Sequence, residues 1–212
     1  IRKSTGGSGV TLFKQDVINC GTIEYGEFYG KVAVGKDGDA ASKGNIAGGT
    51  FKGEVEAADA ATHEITGGTF ENTFTLNSGK VTGGTFNGTV VVNGGQSEAH
   101  LGAAAYNGLI RNNSGISKKA KFFNASNLLG IVENEPISED QPYYKVIFDT
   151  DGGTMEHLER YFLKNGKISD KIEPTRTGYF FTGWYDGDSA WDHAADTVKD
   201  EMTLTAHWTA CD

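Results

Sequence analysis

Between Ile46 and Val92 one short pattern of apolar and polar positions recurs. Ile65-Thr66-Gly67-Gly68-Thr69-Phe70-Glu71-Asn72-Thr73-Phe74 aligns with Val81-Thr82-Gly83-Gly84-Thr85-Phe86-Asn87-Gly88-Thr89-Val90. Upstream lie Ile46-Ala47-Gly48-Gly49-Thr50-Phe51-Lys52-Gly53-Glu54-Val55 and a worn copy from Ile23 to Val32. After each glycine pair the residues alternate. Phe51, Gly53 and Val55 share one parity, and Lys52 and Glu54 share the other. A period of two with β-branched and aromatic residues predicts strands with one buried face. The outward set is then Tyr29 and Lys31, Lys52 and Glu54, Glu71 and Thr73, Asn87 and Thr89.

The offset of five from Ile to Phe is odd, so one straight strand cannot bury both. A corner at the Gly-Gly pair resolves this, because glycine reaches the required backbone angles without a Cβ clash. The later position held by Gly30, Gly53, Asn72 and Gly88 is read as a left-handed bend, since Asn follows Gly in tolerance of positive φ. A small inward position with Asn72 buried is the competing reading. The glycines Gly26, Gly49, Gly68 and Gly84 are 23, 19 and 16 residues apart, so all length variation falls between the units. Loops absorb insertions and stacked strands do not. The expected fold is mainly β: a short parallel β-solenoid (β-helix) over residues 1–135, with Phe28, Phe51, Phe70 and Phe86 as an internal ladder. An antiparallel β-meander is the alternative that the spacing leaves open.

Flanking segments extend this picture. Val10 to Phe13 reads as a first rung or a cap. Ser97 to Tyr106 is Ala-rich and predicts a short helix, which Gly102 weakens. Leu109-Ile110, Ile116, Phe122-Phe123 and Leu128 to Val132 read as degenerate final rungs. The acidic run Glu133 to Pro142 carries two of the three prolines, and a domain boundary is expected there.

Composition changes at the same place. Of 30 glycines, 24 precede Tyr143. From that residue the text reads as a strand Tyr144 to Asp149, a turn at Asp151-Gly152-Gly153, helical turns within Met155 to Tyr161, a hairpin signal at Asn165-Gly166, and a last strand Met202 to Trp208. The segments VIFDTDGGT, NGKISDKIEPTRTGYFFTGWYD, AWD and TVKDEMTLTAHW, in that order, resemble the Listeria–Bacteroides repeat, the B-repeat module of internalin-type surface proteins. The resemblance implies a small β-grasp-like domain over 143–212 and an extracellular setting. Two departures are the long Met155 to Leu163 stretch and Trp191, where that family tends to carry Phe. The GGTF repeats are similar to those of large surface proteins of gut bacteria.

The net charge of −9 divides as −3 before Tyr143 and −6 from it onward. An acidic chain without a basic patch excludes nucleic acid and anionic membrane as favoured partners. Lys118, Lys119 and Lys121 form the only basic run and read as a solvated strand face. Cys20 and Cys211 lack metal spacing; Cys20 is expected to be a buried thiol, and a disulfide between them would require the chain ends to meet. The first residue is Ile1, so trimming or processing is expected, with any leader or anchor outside the sequence and no membrane insertion within it.

Candidate chemistry changes little. Trp184, Trp191 and Trp208 are expected to build the core of a small module rather than stack on sugars. Asp149, Asp151, Asp186, Asp188 and Asp192 lack the spacing of a Ca²⁺ loop and read as turn residues. His63, His100, His157, His193 and His207 show no paired spacing and read as surface or incidental. The outward strand positions hold no convergent carboxylate pair, so no catalytic, cofactor or metal residue is assigned, and an enzyme is not expected. The expectation is an extracellular cell-surface protein for adhesion, interaction or a stalk, its partner an unidentified protein or glycan on a host or neighbouring cell. Glycan binding through Tyr25, Tyr29, Tyr106 or the loops is the rival. A β-helix polysaccharide lyase or hydrolase is the third reading.

Overall fold

The structure is a computed structural model that describes residues 10–36, 39, 42–59, 63–95, 97–114, 120–138 and 140–211. Each repeat copy is one coil of a three-faced parallel β-solenoid. The first face stacks Leu12–Phe13, Glu27–Phe28, Thr50–Phe51, Thr69–Phe70, Thr85–Phe86 and Ala105–Tyr106. The second begins with Val17–Asn19, Val32–Val34, Val55–Ala57, Phe74–Leu76, Val90–Val92, Ile110–Asn112 and Ile131–Val132. The third holds Thr22–Ile23, Asn45–Ile46, Glu64–Ile65, Gly79–Val81, Ala99–Leu101, Ala120–Phe122 and Ile137–Ser138. Pairing is parallel on all three faces, which decides against the meander.

The corner between third and first faces is the Gly-Gly pair. Gly26, Gly49, Gly68 and Gly84 take φ of 125°, 101°, 105° and 108°, where a Cβ is strained. The next corner corrects the expected left-handed bend. Gly30, Gly53, Asn72 and Gly88 are absent from the positive-φ set, and Asn72 is exposed, so the buried-Asn reading fails too. Where this corner carries glycine, the coils touch backbone to backbone, and the coil with Asn72 makes no second N–H bond there among the described residues. A Cβ at Gly53 would stand 2.2 Å from Gly30 O, and one at Gly88 would stand 2.3 Å from Asn72 O. The approach lets Gly53 and Gly88 N–H reach Phe28 O and Phe70 O of the preceding coil at 3.2 and 3.3 Å. Length variation collects at the third corner, between second and third faces, where the connection runs over residues 35–44 in one coil and 77–78 in another.

In-register stacking builds the core. Phe28, Phe51, Phe70 and Phe86 are 0–1% exposed and form one column, with centroids 4.9, 4.9 and 4.5 Å apart. Phe13 joins below at 4.6 Å and Tyr106 above at 5.2 Å. Ile23, Ile46, Ile65, Val81 and Leu101 line the third face inside the same cluster.

Three sequence expectations fail here. Ser97 to Tyr106 is not a helix but a further coil, Leu101-Gly102-Ala103-Ala104-Ala105-Tyr106, in which alanines replace the paired glycines and Tyr replaces Phe. Met155 to Tyr161 forms no helical turn; the strand Glu159–Leu163 starts within it. Asn165-Gly166 makes a turn, with Gly166 N–H donating to Leu163 O at 2.7 Å, but no strand returns from it. Ile116, Lys118 and Lys119 lie outside the described residues.

The solenoid's last second-face strand, Ile131–Val132, pairs antiparallel with Glu159–Leu163, so that sheet continues into the C-terminal module. There Tyr143–Asp149 and Met202–Ala210 run parallel in the centre, with Glu159–Leu163 and Tyr179–Asp186 antiparallel on either side and Ser189–Ala190 at the edge. This is the strand order of a β-grasp, with no helix among the described residues. Its core is a second cluster around Phe148, Phe162, Trp184 and Leu204. The joint is ordered: Asn112 and Asn134 exchange side-chain-to-backbone bonds, Tyr143 Oη donates to Ala125 O at 3.1 Å, and Arg160 Nη1 donates to Leu129 O at 2.8 Å.

Candidate interaction surface

In a parallel solenoid the register that stacks the core also stacks the outside. Thr50, Thr69 and Thr85 form an outward column on the first face. At the adjoining corner Asn107 Nδ2 donates to Asn87 Oδ1 at 2.8 Å, and Asn87 Nδ2 donates to Glu71 Oε2 at 3.1 Å. A longer ladder follows the end of the second face. Asn113 donates to Asn93 at 3.3 Å, Asn93 to Asn77 at 2.7 Å and Asn77 to Glu56 at 3.2 Å, and Lys31 Nζ meets Glu56 at 2.5 Å. That hydrogen bond raises the Lys31 pKa and holds Glu56 below the usual carboxylate range. On the third face His100 and Lys121 flank Glu98 at 2.9 and 3.2 Å and lower its pKa. The carboxylates on these columns are paired with cations or amides.

The sequence candidates disperse. Lys52, Glu54, Glu71 and Asn87 are exposed, as the parity predicts. Tyr29 is 49% exposed and donates to Glu27 at 3.0 Å, Tyr25 is half-buried, and Tyr106 is buried as the last ring of the column. Burial raises its phenol pKa well above the ordinary value, and Tyr106 is therefore withdrawn as a stacking platform.

Two more readings are corrected. Cys20 is exposed, its Sγ 3.1 Å from Ser42 Oγ. The inward residues of that run are Val17 and Asn19, and the Asn19 amide donates to Asn45 O at 3.0 Å, so Ile18 and Cys20 point outward. His63 is fully buried at the variable corner. Its Nε2 lies 3.2 Å from Ala58 O, and its Nδ1 lies 3.0 Å from Gly44 O and 3.3 Å from Gly44 N, so both ring nitrogens face backbone groups. Burial pushes its pKa down. No sequence signal marked it, because its partners are backbone groups of loops of unequal length.

In the module Trp184 is 1% exposed and donates to Ile172 O at 2.7 Å, while Trp208 donates to Thr150 O at 3.0 Å. Trp191 packs against the same core. Its buried Nε1 is without a partner among the described residues. Asp149 and Asp192 act as turn residues, accepting Asp151 N–H at 3.0 Å and Ala194 N–H at 2.8 Å. Two open clefts mark this module. One of about 450 Å³ runs between Asp186, Trp191, Asp196 and Asp200, and one of about 480 Å³ lies between Gly152, Thr154, Thr175, Arg176 and Thr177.

The parallel centre, the flanking antiparallel strands and the GYFFTGWYD strand now stand together, and the comparison with known proteins agrees. Residues 144–207 match the Listeria-Bacteroides repeat domain. Internalin H of Listeria monocytogenes is 35% identical over 79 residues, 35% of this chain and 13% of that protein. A protein of Evansella cellulosilytica, provisionally described as a Gly-rich membrane protein, is 35% identical over 69 residues, 31% of this chain and 8% of its own length. A second protein of that organism, with a similar provisional description as a membrane protein, is 33% identical over 69 residues, 31% of this chain and 10% of its own. The chain thus spans a small part of each relative it matches. No solved structure matches it significantly. Among the described residues no helix is long and apolar enough to cross a membrane.

Proposed function

We propose that the chain is a non-catalytic part of an extracellular bacterial surface protein, serving adhesion or interaction. The observation that carries this reading is the Listeria-Bacteroides repeat joined edge to edge, through one continuous sheet, to a solenoid with ordered polar columns outside. The relatives named as an internalin and as membrane proteins support a cell-surface location. A rigid stack with in-register outward side chains offers a long contact surface whose side chains are already ordered, which lowers the entropic cost of binding.

Glycan binding is the second reading. It is favoured by the amide and hydroxyl columns, which match the hydrogen-bonding groups of sugars, and by the module's open clefts. The test is a glycan array run beside host matrix proteins with the whole chain. Saturable binding to either supports an interaction protein. Binding to neither rejects it, and turnover of a polysaccharide abolished by one acidic substitution overturns the non-catalytic reading.

A further inference from the structure

We infer that the cleft around Arg176 is a binding site for the acidic group of a sugar, a carboxylate or a sulfate ester. This deepens the adhesion reading above and rests on it. The turn Asp151-Gly152, with φ of 44° and 82°, and the strand-like stretch at Thr154 and Thr175 form the walls, joined by mutual Thr154 and Thr175 backbone hydrogen bonds of 2.8 and 2.9 Å. Arg176 is held from behind. Its guanidinium carbon lies 4.1 Å from the centre of the Tyr179 ring and 5.9 Å from that of Trp208, and Nη1 donates to Asp151 O at 2.9 Å. Stacking and one backbone bond fix the planar fork before any ligand arrives, so little side-chain entropy is left to lose on binding.

Other donors of the guanidinium, Nε and Nη2, make no hydrogen bond to the described residues. Gly152 keeps the adjoining space clear: a Cβ there would sit 3.6 Å from Nη2 and 3.7 Å from Nε. Thr154, Thr175 and Thr177 line the same cleft, the Thr154 and Thr175 hydroxyls bonded to each other at 3.1 Å, and no carboxylate residue lines it. The nearest is Asp151, whose Oδ2 is 3.8 Å from Nη1 and whose side chain is 66% exposed, a weak competitor in water. A planar fork beside hydroxyls is the chemistry that recognises an oxyanion carried on a polyhydroxylated ring. Tyr179, the ring that backs the guanidinium, is 40% exposed, so the stacked pair forms an open edge of the cleft.

The experiment is an NMR titration of the whole chain with glucuronate, glucose 6-sulfate, glucose and N-acetylaspartate methylamide, following the Arg176 Nε–H and Trp208 Nε1–H signals. Saturable shifts with glucuronate or glucose 6-sulfate, and none with glucose, are expected; whichever of the two binds more tightly identifies the acidic group. Arg176→Lys keeps the charge and loses the fork, and is expected to weaken binding by at least about tenfold. Asp151→Asn removes the competitor and is expected to tighten it about two- to fivefold. The inference is overturned if glucose binds as well as glucuronate, if N-acetylaspartate methylamide matches the acidic sugars, if no probe saturates, or if Arg176→Lys leaves affinity unchanged. Should Arg176→Lys unfold, the contrast between glucuronate and glucose on the unchanged protein still decides. If these probes fail while the array retains a binder, the cleft is rejected and the adhesion reading stands; if both fail, the reading falls with it.

Discussion

In the solenoid, the rings stacked in register on the first face lie almost parallel: 12° between Phe28 and Phe51, 7° between Phe51 and Phe70, and 3° between Phe70 and Phe86, while Phe74 of the second face meets Phe70 and Phe86 edge-on at 63° and 65°. In the module, Phe148 meets Trp184 at 68°, and Phe181 meets Trp184 and Trp208 at 63° and 65°. Both arrangements are favourable for aromatic pairs, so ring energetics alone does not choose between them. Topology does. Parallel in-register strands place the same residue one strand spacing away, about 4.8 Å, and that spacing enforces stacking. A mixed sheet folded over loops brings unlike residues together from different directions, and edge contacts result. Repetition makes a core whose energy is spread over identical layers, while the module concentrates its core on a few large side chains.

The largest expected effects set the two cores against each other. Phe70→Ala removes a ring covered on both faces and is expected to cost about 3–5 kcal/mol. Trp184→Ala removes the module's largest buried side chain and its bond to Ile172, with a loss of similar size. Hydrogen exchange separates them: the Phe70 variant loosens amides on all three solenoid faces and the Trp184 variant loosens those of the module. A uniform loosening by both would show one core rather than two, and would also set aside the proposed division near residues 133–142.

The coil contacts come next. Gly88→Ala places a Cβ against the backbone of the coil below and is expected to cost about 1–3 kcal/mol, measured by urea unfolding. A silent substitution would mean that the coils sit farther apart than the structure has them.

Much of this was legible in the sequence, and the misses have distinct physical causes. The ladder could be read because identical residues at a fixed offset from paired glycines must occupy identical places. The coil ending at Tyr106 was hidden because Ala103 and Ala104 replace both glycines, leaving an Ala-rich stretch whose local propensity is helical. The β-sheet neighbours on either side overrule that propensity. A buried Cys20 would share its parity with Ile18, but the polar Asn19 takes the inward place because backbone atoms of the next coil satisfy its amide. His63 and the Arg176 cleft were out of reach for a different reason: both are assembled from segments joined by loops, and no local spacing encodes them.

A smaller effect follows from His63. Its folded pKa is depressed, so below about pH 6.5 the unfolded chain takes up a proton that the folded chain resists. Its contribution is complete above that value, is lost as pH falls from there, and levels off below the folded pKa. Urea midpoints measured at pH 8, 6 and 5 are expected to fall more steeply for the unchanged protein than for His63→Gln; parallel slopes would remove His63 from the account. The smallest effect is outside the solenoid, where Glu71→Ala loses an exposed bond to Asn87 and is expected to change stability by less than about 0.5 kcal/mol.

The stacked column itself is tested most directly by double-mutant cycles with Phe→Leu substitutions, which keep each position apolar. Phe51 and Phe70 are adjacent rings, and their coupling is expected to be about 0.5–1.5 kcal/mol. Phe28 and Phe86 sit in the same column with Phe51 and Phe70 between them, and their coupling is expected to vanish within error. Equal coupling in the two cycles, or none in either, would contradict the column of rings on which the solenoid is built.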